Sequence, residues 1–437
     1  MAAMVAAAAM ADEPAVDLNI AEFKGDATVT WGIDLDSDGS SGVGRTGFRN
    51  DASASLKLNI INAGDKSTEG DGVWGEVKVK LDNAFVAKAG DGETMDLADG
   101  KVVLDVAKLH IGDLYIGLKA GDTKVGGLNL PNALYSDKFG VTAKGEDKTQ
   151  GLVVGYGNDL FGVDVDFRSE KNGTDYYTDD YAVAAEAQLK DLSGFSAKAG
   201  ASFAFKSGQL GLFGQVGYKL PLGDNWLKVT AGAGFDKAKG ASLSGGEVAA
   251  SVLYGWGDEG DGSAVYYVGD AAKKKTPGVG VAVFVPLVDH TYIDIVPAFY
   301  SGEIIENLTA SVLGEVILPV NNDGLKMGMA VAAGASYKLA VGDAITVTPQ
   351  AGFRFANADY AGGKASTALL AENTDNSGLS DLTKGAATDS LLNLKAGVDI
   401  AGVIPNTTFS AWYQSRNLTK TGNAKAGTFN ISAKVSF

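Results

Sequence analysis

Apolar and polar residues alternate along this chain with a period of two, the spacing of a β-strand rather than of a helix. Ala27, Val29, Trp31, Ile33 and Leu35 are separated by Thr28, Thr30, Gly32 and Asp34. The pattern returns as Val77, Val79 and Leu81 among Glu76, Lys78 and Lys80, and as Phe161, Val163, Val165 and Phe167 among Gly162, Asp164, Asp166 and Arg168. It returns again from Leu227 to Phe235, from Met327 to Leu339, and as Leu392, Leu394, Ala396, Val398 and Ile400 against Asn393, Lys395, Gly397 and Asp399. Turn signals such as Gly223-Asp224-Asn225 and Gly342-Asp343 separate the runs. Each run is about ten residues long, enough for a tilted strand to cross a bilayer. The spacing predicts about 16 to 20 strands.

The last run closes on an aromatic residue. Phe429, Ile431, Ala433, Val435 and Phe437 alternate with Asn430, Ser432, Lys434 and Ser436. Outer-membrane barrels resemble this, and Phe429, Ile431, Val435 and Phe437 are the expected C-terminal assembly signal. Lipid cannot hydrogen-bond an open strand edge, so strands in a membrane must close on themselves. The expected fold is all-β, one large closed antiparallel transmembrane barrel over residues 12–437 in the outer membrane at the cell surface. A soluble β-sandwich or β-helix is the alternative, because alternation also fits a sheet with one wet face.

In the barrel reading the apolar rows face lipid and the polar rows face water. The pore-lining candidates are then Lys78, Lys80, Asp164, Asp166, Arg168, Lys228, Arg354, Lys395 and Asp399. Trp31, Trp74, Trp226, Trp256 and Trp412 lie in or near strand ends, where interfacial girdles are expected. Pro349 departs from the pattern, since a central strand needs its N–H donor; a bulge or a shifted boundary resolves it. Long connections are expected near 121–150 and 357–389.

Composition narrows the function classes. Glycine, at 59 of 437 residues, is about twice its usual share, and cysteine is absent. No apolar run approaches the roughly 18 residues of a membrane helix. Lys+Arg 37 against Asp+Glu 53 gives a net charge of −16, and no basic stretch gathers nucleic-acid phosphates. That charge suggests a weak cation preference for a pore. Acidic residues cluster in 90–100, 175–180 and 257–262, as solvated loops or as attraction for cations at a pore mouth. Residues 1–11 read as the remnant of an export signal, with an A-x-A site before Asp12 and no basic leader.

Candidate chemistry is sparse. Asp34, Asp36, Asp38 and Gly39 open like a calcium loop, but Arg45 stands where the bidentate acid belongs. Asp289-His290 imitates part of a catalytic pair without a nucleophile elbow around any serine. Lys273-Lys274-Lys275 reads as a solvated loop. No catalytic residue, metal ligand or cofactor site is assigned, and no enzyme is expected.

The segments Trp31–Asp36, Gly47–Leu58, Trp74–Lys80 and Leu109–Gly121 resemble the major outer sheath protein family of treponemes and its related repeat proteins. The resemblance implies an abundant surface porin, a homotrimer, that also adheres to extracellular-matrix proteins of a host. Some descriptions of that family divide the chain into a periplasmic N-terminal part and a C-terminal barrel; the even alternation here favours one barrel. The expectation is passive diffusion of small hydrophilic solutes or ions through a water-filled channel. The alternative is a sheath protein or adhesin anchored by a barrel with a plugged lumen.

Overall fold

The computed structural model describes residues 16–35, 47–62, 73–82, 87–89, 95–97, 101–118, 151–169, 181–205, 208, 210–237, 243–257, 277–286, 292–302, 304–320, 327–357, 390–415, 418–419 and 427–437. All regular structure among them is β. The first strands are β1 (Val16–Asp34), β2 (Gly47–Asn62), β3 (Val73–Asp82), β4 (Ala87–Ala89), β5 (Met95–Leu97), β6 (Lys101–Ile111), β7 (Leu114–Leu118) and β8 (Gly151–Gly157). There follow β9 (Phe161–Ser169), β10 (Tyr181–Leu192), β11 (Phe195–Ala204), β12 (Leu210–Leu222), β13 (Asn225–Lys237), β14 (Leu243–Trp256), β15 (Gly278–Pro286) and β16 (Tyr292–Tyr300). The last are β17 (Leu308–Pro319), β18 (Gly328–Tyr337), β19 (Leu339–Val341), β20 (Ile345–Ala356), β21 (Leu391–Ala401), β22 (Thr407–Ser415) and β23 (Gly427–Ser436).

Apart from the small β4–β5 hairpin, these strands form one sheet of 21, each paired antiparallel to its neighbours along the chain. β18 and β19 lie in line against β20, so the wall has 20 positions. It closes where β1 meets β23, from Asp26 opposite Ser436 to Asp34 opposite Thr428. Phe437 and Gly25 add two backbone hydrogen bonds of 2.7 and 2.9 Å at the end of that seam. Closure leaves no open edge along these pairings, which is what lipid requires. The N-terminal strand is part of the same wall as the last one.

The ends of the barrel differ. Turns as short as Gly112-Asp113 and Ser193-Gly194 share one end with the start of β1 and the end of β23; Ser193 and Gly194 have φ of 54° and 88°, as a two-residue type I′ hairpin demands. The links β7–β8, β9–β10 and β20–β21 leave the opposite end. β14 also ends, and β15 begins, at the short-turn end.

Alternation places one face outside. Val216, Val229, Val252, Val281 and Val312 are 39–49% exposed, each beside a buried neighbour. Outward aromatics gather at both rims: Phe161, Phe195, Tyr218, Tyr254 and Trp256 at the short-turn end, and Phe167, Tyr181, Phe203 and Phe205 at the other. Such belts suit the two membrane interfaces. Pro349 needs no bulge. β20 pairs with β18 through 350–356 and with β19 through 345–347, so the ladder is already open where the proline lacks its donor.

Candidate functional site

The inner face of the wall is the candidate site, and strand parity decides which side chains reach it. On β3 these are Trp74, Glu76, Lys78 and Lys80; on β9, Asp164 and Asp166; on β13, Lys228; on β20 and β21, Arg354, Lys395 and Asp399. The register brings several together. Lys57 of β2 lies opposite Lys78, Glu186 of β10 opposite Asp164, and Arg354 opposite Asn393, two residues from Lys395. Lys228 stands apart, on the other side of the ring. The side chain of Arg168 lies outside the described residues, although its backbone pairs with Ala182. Phe429, Ile431, Val435 and Phe437 face outward, and the Phe437 ring packs 5.5 Å from that of Phe23.

A three-layer device recurs four times on this face. Tyr115, Phe213, Trp226 and Trp412 are the register partners of Gly155, Gly200, Gly255 and Gly397. In each pair a Cβ on the glycine would collide with the aromatic residue, so the missing side chain lets that residue lie close along the wall. Above the rings sit Lys108, Lys198, Lys219 and Lys395, with ammonium nitrogens 4.3, 5.6, 4.6 and 4.5 Å from the ring centroids. Cation–π attraction favours that placement.

This corrects the girdle expectation for three tryptophans. Trp226 and Trp412 belong to the device, and Trp74 stacks on His110 at 3.8 Å, all on the inner face. A tryptophan near a strand end satisfies either face; the neighbouring glycine or histidine decides. Trp31 and Trp256 do face outward, Trp256 donating through Nε1 to the Ser301 carbonyl at 2.9 Å.

Further inner-face charges are not among the pore-lining candidates. Glu76 lies 3.3 Å from Lys57 and 3.6 Å from His110. Glu186 lies 2.8 Å from Lys198. Asp294 and Glu315 are buried on β16 and β17, where their runs read as almost wholly apolar; a lone acid in such a run was the available signal. Polar groups near β20–β22 are interlinked: Gln350 donates to Asp399 at 2.8 Å, the Leu394 N–H donates to Ser415 Oγ at 2.8 Å, and Asn393 donates to the Ser415 carbonyl.

Part of the inner face is closed to water. Leu253, Leu313 and Glu315 are at most 1% exposed, so the polar-in expectation holds only for part of the circumference. Among the described residues no group of three or more acidic, histidine or cysteine side chains is placed to hold a metal ion. The calcium-like loop beyond Leu35, Asp289-His290, Lys273-Lys274-Lys275, residues 1–11 and the connections 121–150 and 358–389 lie outside the described residues.

No family model matches the chain. The major surface protein MspTL of Treponema lecithinolyticum is 27% identical, over 98% of this chain and 94% of that protein. The major outer membrane protein MspA of Treponema maltophilum is 28% identical, over 96% and 93%. Similar solved structures include OpdQ of Pseudomonas aeruginosa, at 12% identity over 95% and 96% of the two chains with a TM-score of 0.42. OpdL of Pseudomonas aeruginosa is another, at 8% identity over 97% and 98% with a TM-score of 0.43.

Proposed function

Since the chain is similar over nearly its whole length to treponemal major surface proteins and forms a porin-type barrel of the outer membrane, we propose that small hydrophilic solutes diffuse passively through its lumen, with no catalytic step. The contrast between its two faces carries this reading: aliphatic and aromatic side chains outside, lysines, carboxylates and amides over much of the inside. A ring of this size leaves room for an aqueous channel. Selection is then by width and by wall charge. Vesicles containing the protein should take up small sugars quickly and larger ones progressively slower. Folded, inserted protein that admits none of them overturns the reading.

The burial of Leu253, Leu313 and Glu315 favours a second reading, an anchor whose lumen is shut and whose work is done outside. In that reading the protein is a sheath component that adheres to host extracellular-matrix proteins, as the family resemblance implies. Removing 358–389 should then abolish binding to an immobilised matrix protein while leaving the barrel inserted. The same resemblance proposes a homotrimer, which sedimentation in detergent checks.

A further inference from the structure

We infer that His110 and Trp74 form a proton-sensing pair on the inner face, near the short-turn end, and that a proton taken up there adds a positive charge to the lumen wall. The pair itself is independent of the porin reading above; its effect on permeation rests on that reading. Apart from cysteine thiols shifted into the range, histidine is the side chain that ordinarily changes charge between about pH 5 and 8. The chain has two histidines and no cysteine, and His290 lies outside the described residues. His110 is therefore the described side chain whose ordinary titration falls in that range.

Register makes His110 of β6 the partner of Trp74 on β3 and of Tyr115 on β7. The imidazole and indole planes are parallel to within 1° with centroids 3.8 Å apart, and the Tyr115 ring is tilted at 6.0 Å. Nε2 of His110 lies 3.6 Å from the Glu76 carboxylate, and the two side chains keep 13% and 14% of their surface open. Around them, among the described residues, stand Lys57 on β2, 3.3 Å from Glu76, and Lys78, two residues along β3 from Glu76. On β6 itself Lys108 holds its ammonium 4.3 Å from the centre of the Tyr115 ring, and Asp164 of β9 closes over Gly155 with the Tyr115 hydroxyl. Two contacts strengthen when His110 is protonated. The imidazolium forms a charge-assisted bridge to Glu76, and its charge over the indole face adds a cation–π attraction that the neutral ring lacks. Lys57 and Lys108 work against the new charge.

Tryptophan fluorescence of the full protein in phospholipid vesicles tests the pair, followed from about pH 8 to about pH 5.5, where ordinary histidines titrate and ordinary carboxylates do not. An imidazolium in contact with an indole quenches its emission more strongly than the neutral ring does. Emission should fall as the pH falls, and the fall should disappear in both His110→Gln and Trp74→Phe while His290→Gln keeps it. A flat response in the unaltered protein, a fall that survives in either variant, or one that His290→Gln abolishes overturns the pair. The effect on permeation is read separately, from the zero-current potential of single channels in a planar bilayer under a KCl gradient. Acidification over the same range should move that potential toward chloride permeation, and His110→Gln should diminish the movement. Open channels whose potential moves equally with and without His110 overturn the effect on permeation while sparing the porin reading. Inserted protein that never conducts removes the porin reading, and the fluorescence result still decides the pair.

Discussion

From β14 to β17 the inner face includes Ala249, Leu253, Ala282, Phe284, Val296 and Leu313, none more than 3% exposed. Across β20–β23 and β1–β3 it is polar: Gln350, Ser410, Ser432, Thr30 and Lys78 are partly in contact with water, and Arg354, Asn393, Gln414 and Asn430 are buried. Both arcs hang on the same antiparallel ladder. In the wet arc the two faces differ in polarity. On β15 they differ in size, with Val279, Val281 and Val283 outside and Gly280, Ala282 and Phe284 inside. Cohesion therefore has different sources: packing of close-fitting side chains in the dry arc, the backbone ladder and polar pairs in the wet one.

The sharpest way to break this comparison is to remove volume from each side. Leu313→Ala should destabilise the barrel by about 2–5 kcal/mol, as expected when a buried leucine leaves a cavity. Thr30→Ala on the wet arc should stay within about 0.5 kcal/mol. Equal losses in urea unfolding from phospholipid vesicles would erase the distinction. The lipid side should be next in severity: Val281→Arg, an outward change at mid-strand, should lose about 2–4 kcal/mol in the same measurement. The seam is a tightly fitted place in the wet arc, as is the Gly397–Trp412 pair. Gly25→Val sets a Cβ 2.6 Å from the Phe437 ring and 2.7 Å from the Ser53 carbonyl, and should destabilise by about 1–3 kcal/mol. An unchanged midpoint there would mean that the seam yields. Between the seam and Thr30 in size, Gln350→Ala removes the donor to Asp399 and should lower stability by about 0.5–1.5 kcal/mol.

The strands were legible because period-two alternation is local. Ala27 to Leu35 and Phe429 to Phe437 read as strands, and they are the two that meet at the seam. The orientation of Trp226 was not legible, because its reason is Gly255 on the next strand, a residue remote in sequence and joined to it only by register. Lys108 over Tyr115 and Glu186 beside Asp164 escaped for the same cause. Pro349 looked like an anomaly of its own strand, and its explanation lies in the break between β18 and β19. What one residue's neighbours in sequence determine could be read; what its neighbours across the ladder determine could not.

The pairing of β1 with β23 makes the wall a ring, and a ring has no first member. Cutting the turn at Gly223-Asp224 and linking the end of β23 to the start of β1 would leave every ladder contact in place, with only the numbering rotated. The two seam strands are set apart by time rather than by position. Until the last strand arrives, the hydrogen-bonding groups of β1 along Asp26–Asp34 have no partner on that side, so the unfinished protein carries an adhesive margin that the finished one lacks.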